Sequence, residues 1–306
     1  MPTKDSLGDR MKSYYEDRYR INLPRRTNIL LRIDGKAFHS YTKGLKRPFD
    51  TGLSDDMDAT TKFLCENIQG AKLGYVQSDE ISILVTDYDT LDTSPWFDNN
   101  LQKMCSISSS LATAKFNQLR MQRRFRSLNV DPVEHGITAY DMTISSDVLD
   151  GKMAMFDSRV FIIPEAEEVV NYFIWRQQDA TRNSISMAAQ SMFSHKQLQG
   201  KSGSQMQEMM FTEKGVNWND YPTRFKRGAA IVKVNVLYKR EKGTKGTGEA
   251  IGPVDSYDSV MARQAVGILG DSSKVDLFER SFWSSVETPI FTQDRNFILS
   301  KMKFNG

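Results

Sequence analysis

The chain has 306 residues, with 41 Lys+Arg against 38 Asp+Glu and a formal charge of +3. Its 39% hydrophobic and 26% charged content is ordinary globular usage, which excludes a disordered chain, a collagen and a disulfide scaffold. No apolar run reaches the roughly 18–20 residues of a membrane span, and MPTKDSLGDR lacks the apolar stretch of a secretory signal. The two cysteines, Cys65 and Cys105, form no CxxC pair, so a reducing compartment, the cytoplasm, is expected.

In chain order, residues 5–19 read as a polar amphipathic helix, broken around Pro24. Residues 28–33 (NILLRI) read as a buried strand ended by the turn signal Asp34-Gly35. A basic loop follows, and Ser54 reads as the N-cap of a helix to about Ile68, with Gly70 past its end. Residues 72–77 and 81–86 read as strands of a hairpin around Ser78-Asp79-Glu80. A long helix is expected from Phe97 to about Phe125, and a strand over 158–163 closed by Pro164. Residues 165–194 read as a helix with an acidic first turn, in which Phe173 and Trp175 pack in the core. A shorter helix over 202–213 and a strand over 229–238 (AAIVKVNVLY) follow. Residues 240–249 read as a mobile Gly-rich loop, and 288–291 as a strand or extended piece. The order of elements predicts an α+β fold, an antiparallel or mixed sheet with helices on one face.

Asp34 and Asp79 close two elements that can be neighbours at one sheet edge. Paired oxygen ligands there suit Mg²⁺, which takes one or two carboxylates plus water and phosphate. Gly35 lets its carbonyl approach a metal. Asp-Gly and Ser-Asp-Glu are also ordinary turn sequences, and that reading stands beside the first. Gly35 to His39 can present N–H groups to a triphosphate, with Lys43, Lys46 and Arg47 to neutralise it. No P-loop signature is present. The three histidines, His39, His135 and His195, form no ligand cluster in sequence. Basic clusters lie at Arg120, Arg123, Arg124 and Arg126, at Arg224, Lys226 and Arg227, and at Lys239, Arg240, Lys242 and Lys245. Such clusters follow a phosphate backbone or simply face solvent. Arg176 and Asp179 stand at the spacing of a helical ion pair.

Arg32-Ile33-Asp34-Gly35-Lys36-Ala37-Phe38-His39 resembles the first metal-binding motif of the tRNA-His guanylyltransferase family. Gln77-Ser78-Asp79-Glu80-Ile81-Ser82 is similar to its second. Phe156-Asp157-Ser158-Arg159-Val160, the run YFIWRQQD from Tyr172 and Phe225-Lys226-Arg227-Gly228 resemble its later motifs in order, over about residues 5–235. SLGDRMKSYYE and FDNNLQKMCSISSSLATAKFN look most like the tRNA-repairing branch of prokaryotes and phages. Thr181-Arg182-Asn183-Ser184 stands where the eukaryotic branch has His-Ile-Asn-Asn, and only the first Asn survives.

The resemblance implies a polymerase/cyclase-like palm with helical and C-terminal additions. It implies two Mg²⁺ ions, GTP and ATP as substrates, and nucleotide addition to tRNA 5′ ends in the 3′-to-5′ direction, in the repair branch against a template. The expected division is 1–135 for the palm with the metal and nucleotide site, 136–240 for the rest of the core and 241–306 for a C-terminal extension. Asp34, Gly35 and Asp79 are the implied metal ligands, and the two aspartates the catalytic residues. Gly35, Lys36, Ala37, Phe38, His39, Lys43, Ser78, Asp79 and Lys103 are implied for the nucleotide, while Glu80 shapes the site. Arg123, Arg124, Arg176 and Arg227 are the candidates for RNA. A homotetramer free of membrane is expected. The alternatives are strict G addition to tRNA-His, a nucleotide cyclase or cyclic-dinucleotide synthase, and a non-catalytic RNA-binding module.

Overall fold

A computed structural model describes residues 5–127, 152–241, 248–254 and 275–302. Its strands are β1 (Asn28–Gly35), β2 (Ala71–Gln77), β3 (Glu80–Thr86), β4 (Phe156–Ile162), β5 (Ala229–Glu241), β6 (Glu249–Pro253) and β7 (Val275–Val286). They form one sheet in the order β4-β1-β3-β2-β5-β6, and every pairing is antiparallel. Ala230 pairs with Tyr75 on one side and with Val286 on the other, so β7 lies on the opposite edge of β5 from β2. The helices are α1 (Ser6–Met11), α2 (Phe38–Tyr41), α3 (Thr51–Asn67), α4 (Leu101–Ser127), α5 (Ala166–Gln190), α6 (His195–Leu198), α7 (Gly203–Lys214), α8 (Thr223–Arg227) and α9 (Asn296–Leu299). The α+β class and the hairpin are as expected. Among the described residues no helix is long and apolar enough to cross a membrane.

Helices cover both faces of the sheet, not one. Alternation along β1 sends Ile29, Leu31 and Ile33 to Met57 and Leu64 of α3 and to Met104 and Phe116 of α4. Leu30 faces the other way, toward Val169, Val170 and Phe173 of α5. The sign was in the strands themselves: NILLRI and ISILVT are nearly continuous apolar runs, as strands buried on both faces require.

Several boundaries differ for local reasons. Helix α3 is capped by Asp50, whose carboxylate accepts the Leu53 N–H at 2.7 Å, while Ser54 lies inside and donates back to the Asp50 carbonyl. The long helix begins at Leu101 because Phe97, Asp98 and Asn99 have positive φ, and Asn100 accepts the Lys103 N–H at 3.0 Å. Helix α5 stops at Gln190, and Ser194 caps α6 with a capping box completed by Gln197. Trp175 is 46% exposed rather than core, because the buried stripe of α5 runs through Tyr172, Phe173, Arg176, Gln177 and Ala180. The stretch read as a loop over 240–249 is entered by β5 and left by β6. Lys242, Lys245 and His135 lie outside the described residues. Strand β7 was not anticipated; residues 288–291 follow it as irregular chain.

One buried ion cluster fixes the end of α4 on α3. The Asp56 carboxylate accepts from Arg120 Nη1 at 3.1 Å and Arg123 Nη2 at 2.9 Å. Removing a buried carboxylate strands its partners. Asp56→Ala is therefore expected to lower unfolding free energy by about 3 kcal/mol. The exposed neighbour change Asp55→Ala should cost under about 1 kcal/mol, both read by denaturant titration.

Candidate functional site

The sheet edge brings Asp34 and Asp79 together. Asp34 lies opposite Glu80 across β1 and β3, and the Gly35 N–H donates to the Asp79 carbonyl at 3.1 Å. Gln77 pairs with Glu80, which leaves Ser78-Asp79 as a two-residue hairpin turn. Ser78 takes φ 47°, the positive value that such a turn needs at its first position. A cavity of about 390 Å³ opens there, lined by Arg32, Asp34, Asp79, Glu80, Arg176 and Asp179 among others.

The three acids at this edge have different partners. Glu80 is buried and accepts from Arg176 Nε at 2.6 Å, Arg176 Nη2 at 3.0 Å and Arg32 Nη2 at 2.6 Å. Arg176 also holds Asp179 at 2.8 Å, the helical pair that the spacing predicted. Asp34 and Asp79 have no salt-bridge partner among the described residues. Burial pushes the Asp79 carboxyl up to about 6; Ser78 opposes the shift by hydrogen bonding, and Asp34 and Glu80 add to it. Two carboxylates without counter-charge, beside the Gly35 carbonyl, are a donor set of hard oxygens that fits Mg²⁺. Among the described residues no group of three or more His, Cys, Asp or Glu side chains gathers for a metal.

The loop after β1 is shaped by packing. A Cβ on Gly35 would lie 2.3 Å from the Phe38 ring, so only glycine lets that ring tuck beneath the strand end. Phe38 then packs with Tyr41, Phe116 and Phe156, with ring centroids 4.9, 5.7 and 5.2 Å away. Ala37 is held at φ 53°, an uncommon backbone for a residue with a Cβ. The Gly35 and Lys36 N–H groups are committed, to Asp79 and to the Met155 carbonyl. Those of Ala37, Phe38 and His39 open the single turn of α2 and bond no backbone carbonyl among the described residues.

A second cavity, of about 580 Å³, lies on this side of the Ser78-Asp79 turn. Lys43, Lys46, Arg47 and His39 line it, together with Asp79 and Met187. It is the size of small-molecule sites.

Other expected residues are placed elsewhere. Lys103 is not brought to the site. Along α4, Cys105 meets Val160, Ser108 meets Ser158, and Asn117 meets Ala154, so the helix starts at the end of β4 away from Asp34. The Lys103 ammonium instead lies 6.0 Å from the Phe97 ring centre. Arg176, expected on RNA, is corrected to an internal role, since its guanidinium is buried and spent on Glu80 and Asp179. Arg123 is paired with Asp55 and Asp56 and keeps part of its surface open. The cluster before β5 is largely internal: Arg224 binds Asp58 at 2.7 Å, and Lys226 donates to the Asn219 carbonyl. Arg32 and Gln177 were missed. Arg32 carried a signal, since a charge inside an apolar strand requires a buried partner. Gln177 donates to the Pro289 carbonyl and accepts the Phe291 N–H, which no local pattern announces.

Two carboxylates without salt-bridge partners among the described residues, beside a cavity lined by Lys43, Lys46 and Arg47, suit a site for a phosphorylated ligand and a divalent cation. The family model for Thg1, tRNAHis guanylyltransferase, matches residues 8–164. A bacterial tRNA(His) guanylyltransferase (Thg1)-like protein in complex with ATP is 41% identical, with TM-score 0.71, over 98% of this chain and 100% of that one. A bacterial protein of the same description in complex with GTP is 38% identical, with TM-score 0.64, again over 98% and 100%. The tRNA(His) guanylyltransferase of Candida glabrata is 26% identical over 76% of this chain and 89% of its own length. The chain therefore belongs to the tRNAHis guanylyltransferase family, a family of tRNA-processing nucleotidyltransferases. The likeness to the bacterial proteins extends past residue 240, beyond the span that the motifs reached.

Two outcomes follow from these ion arrangements. Asp79 is raised from 3.8 to about 6 in the folded chain, so the fold binds its proton more tightly than the unfolded chain does. That contribution is present below about pH 4 and is lost as pH rises through about 6. With chelator present, Asp79→Asn should melt above the parent at pH 8, with the gap closing toward pH 4, as read by thermal scans. Arg176→Met should destabilise the chain by about 3 kcal/mol in denaturant titration, because Glu80 and Asp179 lose their shared partner.

Proposed function

We propose that this chain is a Mg²⁺-dependent 3′-to-5′ nucleotidyltransferase that adds nucleotides, GTP favoured, to the 5′ end of tRNA. The observation that carries the reading is the pair Asp34 and Asp79, without a salt-bridge partner among the described residues, with Asp79 also lining the cavity of Lys43, Lys46 and Arg47. Asp34, Asp79 and the Gly35 carbonyl would hold two Mg²⁺ ions. Bound there, the ions supply Lewis acidity to activate a ribose 3′-hydroxyl and to stabilise the leaving phosphate.

The protein's own part is placement. The N–H groups of Ala37, Phe38 and His39, with Lys43 and Ser78, hold the triphosphate. Lys36 stands exposed at the same loop. Arg124 and Arg227 contribute to the RNA phosphate path, with the open part of Arg123. A 5′-phosphate end is activated with ATP or GTP, and the 3′-hydroxyl of the incoming nucleotide then displaces the activating nucleotide. Support for ATP and GTP comes from the bacterial relatives bound to each. Support for templated 5′-end repair, rather than G addition to tRNA-His alone, comes from Thr181 and Ser184 at the ends of the tetrapeptide that reads His-Ile-Asn-Asn in the eukaryotic branch. The protein is read as a cytoplasmic homotetramer, after its family.

Incubation with tRNAs lacking one 5′ nucleotide, with each labelled NTP in turn, tests this. Incorporation should follow the opposing base. Asp34→Ala and Asp79→Ala should each lower it by about 10²–10³-fold. Intact incorporation in either variant would remove the metal assignment. A cyclic product from GTP without RNA would replace the reading with cyclase chemistry.

A further inference from the structure

Of the three aromatic residues in α5, Tyr172 and Phe173 are buried and Trp175 is left open. Exposing an indole forgoes a large burial gain. This one is also held in a set orientation. The Arg176 guanidinium carbon lies 4.3 Å from its ring centre and that of Arg32 lies 5.8 Å away. Tyr172 meets it edge-on, with centroids 5.9 Å apart. Both arginines are pinned by Glu80. The same two arginines line the cavity that contains Asp34 and Asp79, so the indole packs against two residues of that cavity's wall.

A flat, cation-backed π surface against the wall of a polar cavity matches a nucleobase. Base stacking on aromatic side chains is how proteins hold single-stranded ends. The cavity lined by Lys43, Lys46 and Arg47 lies across the Ser78-Asp79 turn, and neither Arg32 nor Arg176 lines it. A base on Trp175 therefore stands on the carboxylate side of the turn, away from the cation-lined cavity, which suits the RNA end rather than the triphosphate. We propose that Trp175 is a stacking platform for the terminal base at the RNA 5′ end. This rests on the tRNA 5′-end reading above, and it names a positioning residue.

The test uses an acceptor-stem RNA hairpin with 2-aminopurine as its 5′-terminal base, titrated into the full chain. Stacking on Trp175 should quench the probe. Trp175→Leu should abolish that quenching and weaken RNA binding about tenfold, while Trp175→Phe restores most of both. GTP affinity, read by calorimetry, should be unchanged in either variant. Absence of quenching with the parent protein would overturn the platform. So would a Leu variant that binds and quenches like the parent, or a loss of GTP affinity equal to the loss for RNA. The measurement needs no turnover. A protein that quenches the probe yet adds no nucleotide keeps the platform and loses the 5′-end addition reading.

Discussion

Glu80 is neutralised inside the protein, and the arrangement of the sheet edge depends on it. Three carboxylates crowd two adjoining strand ends, where like charges disfavour one another. Arg32 reaches Glu80 along the sheet and Arg176 reaches it from α5. One acid is thereby removed from the competition for outside cations, and two are left. The same contacts join β1, the hairpin and α5. A buried charge cluster of this kind is weak as a source of net stability, but it is strict about geometry, because any partner that moves leaves a charge stranded. The position of Asp79 relative to Asp34 is set by that strictness.

The loop beside it is fixed by a different force. Phe38 enters an aromatic group with Tyr41, Phe116 and Phe156, and the missing Cβ of Gly35 makes room for it. Packing of this sort tolerates little displacement. The backbone of Ala37 is thereby held in a strained conformation, with the N–H groups of 37–39 bonded to no backbone carbonyl among the described residues. Polar presentation is thus produced by an apolar anchor.

The strands and the carboxylate pair were legible because NILLRI and ISILVT are nearly continuous apolar runs bounded by turn residues. Their double-sided burial was equally visible in those runs, yet the single-face arrangement was expected from the order of elements. Trp175 was misplaced because composition makes it a core residue, whereas its angle around α5 puts it off the buried stripe. Strand β7 was illegible because VDLFERSFWSSV mixes charges with apolar residues, and of its described side chains only Trp283 is buried. The partnership of Arg176 with Glu80 spans 96 residues of chain, and local spacing showed only the pair with Asp179. Lys103 failed for a similar reason, since its distance from Asp34 is decided by how α4 runs along β4.

Gln177 has a consequence for how this chain can be divided. Its amide clasps Pro289 and Phe291, and Phe291 and Ile298 lie fully buried against Leu30, Leu73 and Tyr75. The last described segment therefore serves as a latch over the α5 face of the sheet. Severed at residue 286, the remaining chain would present that apolar wall to solvent, a surface prone to self-association. Swapping this tail among relatives would need a matching wall as well as a matching tail, so the two are constrained to change together.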